Sequence, residues 1–171
     1  MATRARARAD LGVRTIPGVE DENVARRVVE LLGDRSIATA ESCTAGRVAE
    51  VLACVEKASE FLRGGLVAYQ EEIKRELLGV TARSVLTEEA AEQMARGAAK
   101  LFGADVTVAT TGVAGDEEEE GTPPGTVYIA TSVDHDVSVA VHQFDGSPEE
   151  VCDQARRQAL LDLVDALMLR R

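Results

Sequence analysis

The chain contains no tryptophan, and only two tyrosines and three phenylalanines among its 171 residues. So few aromatic faces leave little on which to stack single-stranded bases. Positive charge is also scarce: 19 lysines and arginines stand against 30 aspartates and glutamates, a formal net charge of -11. A surface this acidic repels a polyanion, so nucleic acid is excluded as a general partner. The cysteines, Cys43, Cys54 and Cys152, are odd in number, far apart and without a C-x-x-C pair. With only His135 and His142 besides, they offer no zinc-ligand spacing, and no metal or cofactor is expected. They read as reduced thiols in a reducing compartment. No run approaches the ~18–20 apolar residues that a membrane-spanning helix needs. The opening Met1-Ala2-Thr3-Arg4-Ala5-Arg6-Ala7-Arg8 lacks the apolar middle of a secretory signal. These absences describe a cytoplasmic protein with no membrane partner.

What is present is enough apolar residue, 45% of the chain, for one domain with a sizeable core. Residues 1–22 stand apart as a basic N-terminal tail. Arg4, Arg6, Arg8 and Arg14 against Asp10 give its first fourteen residues +3, leaving -14 on the remainder. From residue 23 to 171 the hydrophobic pattern alternates in period. Asn23 is a candidate N-cap for a helix carrying Val24, Val28, Leu31 and Leu32. Ser36–Ala40 reads as a strand, Glu41–Gly46 as a tight turn, and Val48, Val51, Leu52 and Val55 as a helix. Gly64-Gly65 precede a β-prone run, Leu66–Tyr69, and Ile73, Leu77 and Leu78 mark a helix ended by Gly79. Thr87 caps the next helix and Gly103 closes it. Val106–Thr110 is a β-branched strand. Gly125–Ala130 and Val137–Val141 form a late antiparallel hairpin, and a long helix ends the chain. Interleaved helices and strands predict an α/β fold, a three-layer α/β/α sandwich on a mixed, mostly parallel sheet.

Three turns carry candidate chemistry. Ser42, at the end of a strand and before a helix, sits where free backbone amides converge. That suits either a nucleophile beside its oxyanion donors or a plain helix cap. Tyr69 and Lys74 flank the next strand-to-helix junction. A lysine desolvated there loses its proton more readily and serves as a base for a serine; otherwise it is a surface lysine among Glu71, Glu72, Arg75 and Glu76. Thr110–Gly115 follows the strongest strand with glycines that free amides for an anion, or that simply turn the chain; it is neither a Walker motif nor a G-x-G-x-x-G. Asp116–Glu120 reads as a solvated acidic loop.

Taken in order, these stretches are more specific than any one of them. Ala40-Glu41-Ser42-Cys43-Thr44-Ala45-Gly46, Phe61–Tyr69, Lys74 with Leu78-Gly79-Val80, Thr111-Gly112-Val113-Ala114-Gly115 and Pro124-Gly125-Thr126-Val127 resemble the C-terminal domain of the CinA (competence/damage-inducible) family in stand-alone form. The resemblance runs from about residue 23 to the C-terminus. It implies self-association as a homo-oligomer and a small-molecule nucleotide substrate. The activity it implies is metal-independent hydrolysis of nicotinamide mononucleotide to nicotinate mononucleotide and ammonia. In that scheme Ser42 is the nucleophile, Lys74 the base and Tyr69 an aid to their positioning. Amides of Thr44, Ala45 and Gly46 serve the oxyanion, Thr111, Gly112, Ala114 and Gly115 receive the nucleotide, and Arg63 is a further substrate contact. The pyrophosphatase-like domain of full-length family members has no counterpart here, so that activity is not expected.

The departures concern the substrate more than the chemistry. Ala45 replaces a glycine of the family's E-S-C-T-G-G, tolerable if its φ is negative. The acidic run 116–120 replaces P-D-G-G, and Gly146–Cys152 lacks both arginines of G-D-R-x-x-x-R. The segment between Val80 and Thr87 is also several residues short. One lost arginine weakens a phosphate-bearing ligand about ten- to a hundredfold. Arg63, Arg156 and Arg157 are the remaining candidates to replace it. Three readings therefore stay open: a nicotinamide-mononucleotide amidohydrolase, a catalytically weak binding or regulatory domain, and an amidase for a carboxamide without phosphate.

Overall fold

The computed structural model describes residues 19–170, so the basic tail lies outside the described residues up to position 18. Helix α1 spans Val19–Leu32 and begins four residues before Asn23, which is an interior helical residue and not the cap. Glu20, Asp21 and Glu22 occupy its first turn, where the helix dipole favours negative charge. The chain then runs through β1 (Ile37–Glu41), α2 (Arg47–Ala53), a single turn α3 (Ala58–Phe61), β2 (Leu62–Val67), α4 (Glu71–Leu78) and α5 (Glu88–Phe102). It ends with β3 (Val106–Gly112), β4 (Thr126–Val133), β5 (Asp136–Gln143) and α6 (Pro148–Met168).

The five strands form one sheet in the order β2-β1-β3-β4-β5. Strand β1 pairs parallel with β2 and β3, while β4 pairs antiparallel with β3 and β5. The sheet is mixed as expected, with its pairings divided evenly between the two senses. Asp134 and His135 join β4 to β5 with φ of 51° and 77°, the paired left-handed conformations of a type I′ hairpin turn. Strand β2 starts four residues earlier than the sequence pattern suggests, because Gly64-Gly65 lie inside it. A side chain on Gly65 would meet Thr39 Oγ1 at 2.4 Å, so glycine here serves close packing and does not break the strand.

The two faces of the sheet are packed differently. One carries Ile37, Val106, Val108, Val127 and Ile129 against α1, α2 and α6. The other carries Ala40, Ala109 and Ala130 against α5, whose inner face is Ala90, Ala91, Met94, Ala95 and Ala98. Small residues on both sides let α5 lie close to the strands, and Thr107 Oγ1 donates to Ala95 O at 2.9 Å. Helices on both faces make three layers, α1, α2 and α6 on one side and α4 and α5 on the other.

This winding places the site. The connection from β1 to β2 crosses the first face through α2 and α3, and the connection from β2 to β3 crosses the second through α4 and α5. The chain thus leaves the neighbouring strands β1 and β2 on opposite faces of the sheet, and a crevice opens between their carboxyl ends. Ser42 is the first residue beyond β1.

Candidate active site

The turn after β1 is organised by a buried carboxyl group. Glu41 is fully buried, and its Oε1 accepts from Thr39 Oγ1 at 3.0 Å and Ala49 N at 2.8 Å. Oε2 accepts from Thr44 Oγ1 at 2.7 Å and Val48 N at 3.0 Å. Val48 and Ala49 lie in the first turn of α2, whose opening amides have no intrahelical acceptor. Glu41 therefore caps α2 from the preceding strand and ties the turn to both elements. Ser42 N donates to Thr110 O at 3.0 Å, joining the same turn to β3.

Ser42, itself only 7% exposed, opens into a cavity of about 420 Å³. Cys43, Tyr69, Lys74, Gly112 and Gly115 share its lining. Lys74 belongs to α4 and is 3% exposed. Its ammonium donates to the main-chain carbonyl of Tyr69 at 2.8 Å. Burial pulls the Lys74 pKa below the ordinary lysine value, partly opposed by the negative charge of Glu119, Glu71 and Glu120. The Cys43 thiol is pushed up to about 12 by burial, so beside Lys74 it is a neutral group at pH 7.

Of the residues expected in the site, Ser42, Tyr69, Lys74, Gly112, Ala114 and Gly115 do come together around one cavity. Tyr69 contributes its carbonyl to Lys74 while its side chain is exposed. Thr44 does not reach the cavity: it is fully buried, with its hydroxyl between Glu41 and Thr110 Oγ1. Thr111 is also turned inward and donates to Val85 O at 2.8 Å, holding down the short segment before α5. Ala45 and Gly46 lie on the turn outside the cavity lining, and Ala45 N is already spent on Ser42 O at 3.1 Å. Ala45 adopts φ 49°, so the alanine sits in the left-handed region and not at the negative φ that would accommodate it freely.

Arg63 is placed at the other end of the sheet. It is the second residue of β2, next to Leu62, which pairs with Ile37 at the start of β1, and its charge acts on Asp105. Arg156 and Arg157 are engaged as well: Arg156 bonds Asp21 at 2.6 Å and Arg157 bonds Glu20, pinning α6 to the first turn of α1. None of the three lines the cavity.

Sequence reasoning overlooked Glu41, although one acidic residue closing the apolar strand Ile37-Ala38-Thr39-Ala40 was its signal. It also left Cys43, Gln70, Val85 and Leu86 out of the lining. The acidic run is exposed from Asp116 to Glu120, as a solvated loop should be, and Glu119 and Glu120 also line the cavity. They sit on a two-residue hairpin turn in which Glu119 and Thr122 exchange both main-chain bonds, with φ of 50° at Glu120 and 78° at Gly121. A larger groove of about 680 Å³ runs between α4 and α5, but no hydroxyl or thiol lines it.

The model of the CinA C-terminal domain matches residues 21–167. The chain belongs to the CinA C-terminal domain family. A CinA-like protein of Mycolicibacterium vanbaalenii is 43% identical over 136 residues, which are 76% of this chain and 32% of that protein. Protein YdeJ of Escherichia coli is 35% identical over 160 residues, covering 86% of this chain and 93% of YdeJ. The chain thus spans about a third of the CinA-like relative and most of YdeJ. A crystal structure of a CinA superfamily protein from Klebsiella pneumoniae superposes with TM-score 0.83 at 33% identity, over 86% of this chain and 98% of that one.

Pro148 and Cys152 stand where the resemblance implied arginines, and each serves local structure. Pro148 is the first residue of α6, behind a capping box of Ser147 and Glu150. Cys152 Sγ donates to Cys43 O at 2.9 Å, bracing the turn that carries Ser42. No described helix is long and apolar enough to cross a membrane. Among the described residues no group of three His, Cys, Asp or Glu side chains is placed to hold a metal ion.

Proposed function

We propose that this CinA-family domain is a Ser-Lys amidohydrolase acting on a nicotinamide-type carboxamide, nicotinamide mononucleotide being the first substrate to try. One observation carries the reading. The buried Ser42 and the buried, desolvated Lys74 face one cavity, walled by the glycine-rich end of β3.

The chemistry needs Lys74 as the neutral amine, the form that its burial favours. A neutral Lys74 amine donates to Tyr69 O and keeps its lone pair for the Ser42 proton. Ser42 Oγ attacks the carboxamide carbon and the carbonyl oxygen takes up negative charge. The amide of Cys43, directly after the nucleophile, is the oxyanion donor in this scheme, since Ala45 N is already committed. Lys74 then passes its proton to the departing nitrogen, and ammonia leaves an acyl-Ser42 ester. A water molecule, deprotonated by Lys74, cleaves that ester and returns the proton to Ser42. The balance is one carboxamide and one water to one carboxylate and one ammonium.

The test is ammonia release from nicotinamide mononucleotide without added metal, wild type beside Ser42→Ala. Serine-dependent release supports the reading. Folded protein that releases no ammonia from this or related carboxamides leaves a binding or regulatory role for the domain.

A further inference from the structure

We infer that Glu119 and Glu120 make this cavity selective against phosphate, so that its preferred ligand is a carboxamide whose remainder is neutral or cationic. The inference rests on the reading of Ser42 and Lys74 as an amide-hydrolysing pair and assigns the substrate class of that site.

The charges around the cavity are few and can be followed one by one. Three carboxylates, Glu71, Glu119 and Glu120, line it together with a single cation, Lys74. Glu71 is neutralised locally by Arg75, which bonds it at 2.7 Å. The carboxylates of Glu119 and Glu120 have no such partner among the described ion pairs, and both act on Lys74 through space. No arginine lines the cavity. Arg47 is held by Asp153, Arg156 by Asp21 and Asp153, Arg157 by Glu20, and Arg63 stands at the opposite end of the sheet. When Lys74 is neutral, as a base must be, nothing positive remains to meet a phosphate dianion. Two exposed carboxylates then repel it, and a pyridinium ring, which is cationic, is attracted by the same pair. At about 8 Å in water-like dielectric, each unit charge pair changes affinity about twofold, so the two carboxylates and a dianion together give about tenfold or more.

The turn is suited to this role because its shape does not depend on its charge. Main-chain bonds between Glu119 and Thr122 form it, so glutamine at 119 and 120 removes the charge and leaves the hairpin.

The experiment compares nicotinamide mononucleotide with its dephosphorylated nucleoside in the wild type and in a Glu119→Gln, Glu120→Gln variant. Turnover is read as kcat/KM, and binding is read by calorimetry on the Ser42→Ala protein with and without the two glutamines. The wild type is expected to favour the nucleoside by about tenfold. The double variant moves the ratio by about tenfold toward the mononucleotide, and added salt moves it the same way. Ammonia release from neither probe, with the binding preference intact, removes the hydrolase reading and keeps the selectivity. A mononucleotide bound as well as the nucleoside, a ratio indifferent to the two glutamines, or no binding of either probe overturns the selectivity.

Discussion

The two walls of the cavity are built on different principles. The wall carrying Ser42 and Lys74 is over-determined. Glu41 alone receives four hydrogen bonds there, Ser42 N is tied to β3, and Cys152 braces the following carbonyl. The facing wall, the Glu119-Glu120 hairpin, hangs on a short ladder of main-chain bonds with exposed side chains. Reacting atoms have to be held within a fraction of an ångström, so their support is redundant. A wall that only screens substrates can change charge without unsettling the fold.

The largest effect that tests this contrast comes from the nucleophile itself. Ser42→Ala is expected to lower ammonia release at least about a thousandfold with an unchanged unfolding transition; activity within tenfold of wild type would break the assignment of the reactive wall. Removing the base comes next. Lys74→Met should cost about a hundred- to ten-thousandfold in kcat/KM.

The pH profile sharpens that prediction. Because burial lowers the Lys74 pKa, the neutral base appears below the ordinary lysine range, and kcat/KM should rise with pH along a limb set below 10.5. Lys74→Arg keeps the cation but cannot lose its proton, so that limb should vanish. The sign for stability is the same. The unfolded chain binds this proton more tightly than the folded one. Burial of the charged lysine therefore costs stability below its folded pKa, and that cost lifts as the pH rises toward the unfolded value.

Smaller effects separate support from chemistry. Glu41→Gln replaces one accepting oxygen by an amide that cannot receive its two donors. It should destabilise the domain by about 3 kcal/mol in urea unfolding, whatever the substrate. Ala45→Gly relieves the left-handed conformation at φ 49°. Offset by the greater freedom of glycine in the unfolded chain, it should raise stability by about 0.5–1 kcal/mol. A loss of stability instead would mean that the alanine methyl contributes packing to this wall.

Most of the fold was legible in the residue pattern. Thr87 caps α5 by accepting from Ala90 N, and Gly79 and Gly103 close their helices in the left-handed conformation, because these are local events between neighbours in the chain. Errors arose where a long-range contact overrode a local signal. Gly64-Gly65 stood ahead of the β-prone run in the sequence pattern and proved to lie inside the strand, where Thr39 and Phe102 crowd the space their side chains would take. Asn23 looked like a cap, but the three carboxylates before it extend α1 backward, and two of them meet Arg156 and Arg157 on α6. In the site, the small motifs marked which turns mattered without showing which way each side chain points. Thr44 and Thr111 turn inward to bind the protein's own groups while Ser42 faces the cavity.

By itself the sequence determined the alternation of helix and strand, the three turns that gather at one sheet end, and the family. Those follow from hydrophobic period, glycine placement and short motifs, all read within a few residues. Tertiary structure alone decided that Glu41 anchors the nucleophile's turn, that Lys74 is desolvated against the Tyr69 carbonyl, and that Arg156 and Arg157 are spent on structural pairs while two glutamates meet the cavity. The reason is physical: burial and pairing depend on what the rest of the chain brings alongside, and charge acts across space without regard to distance along the sequence.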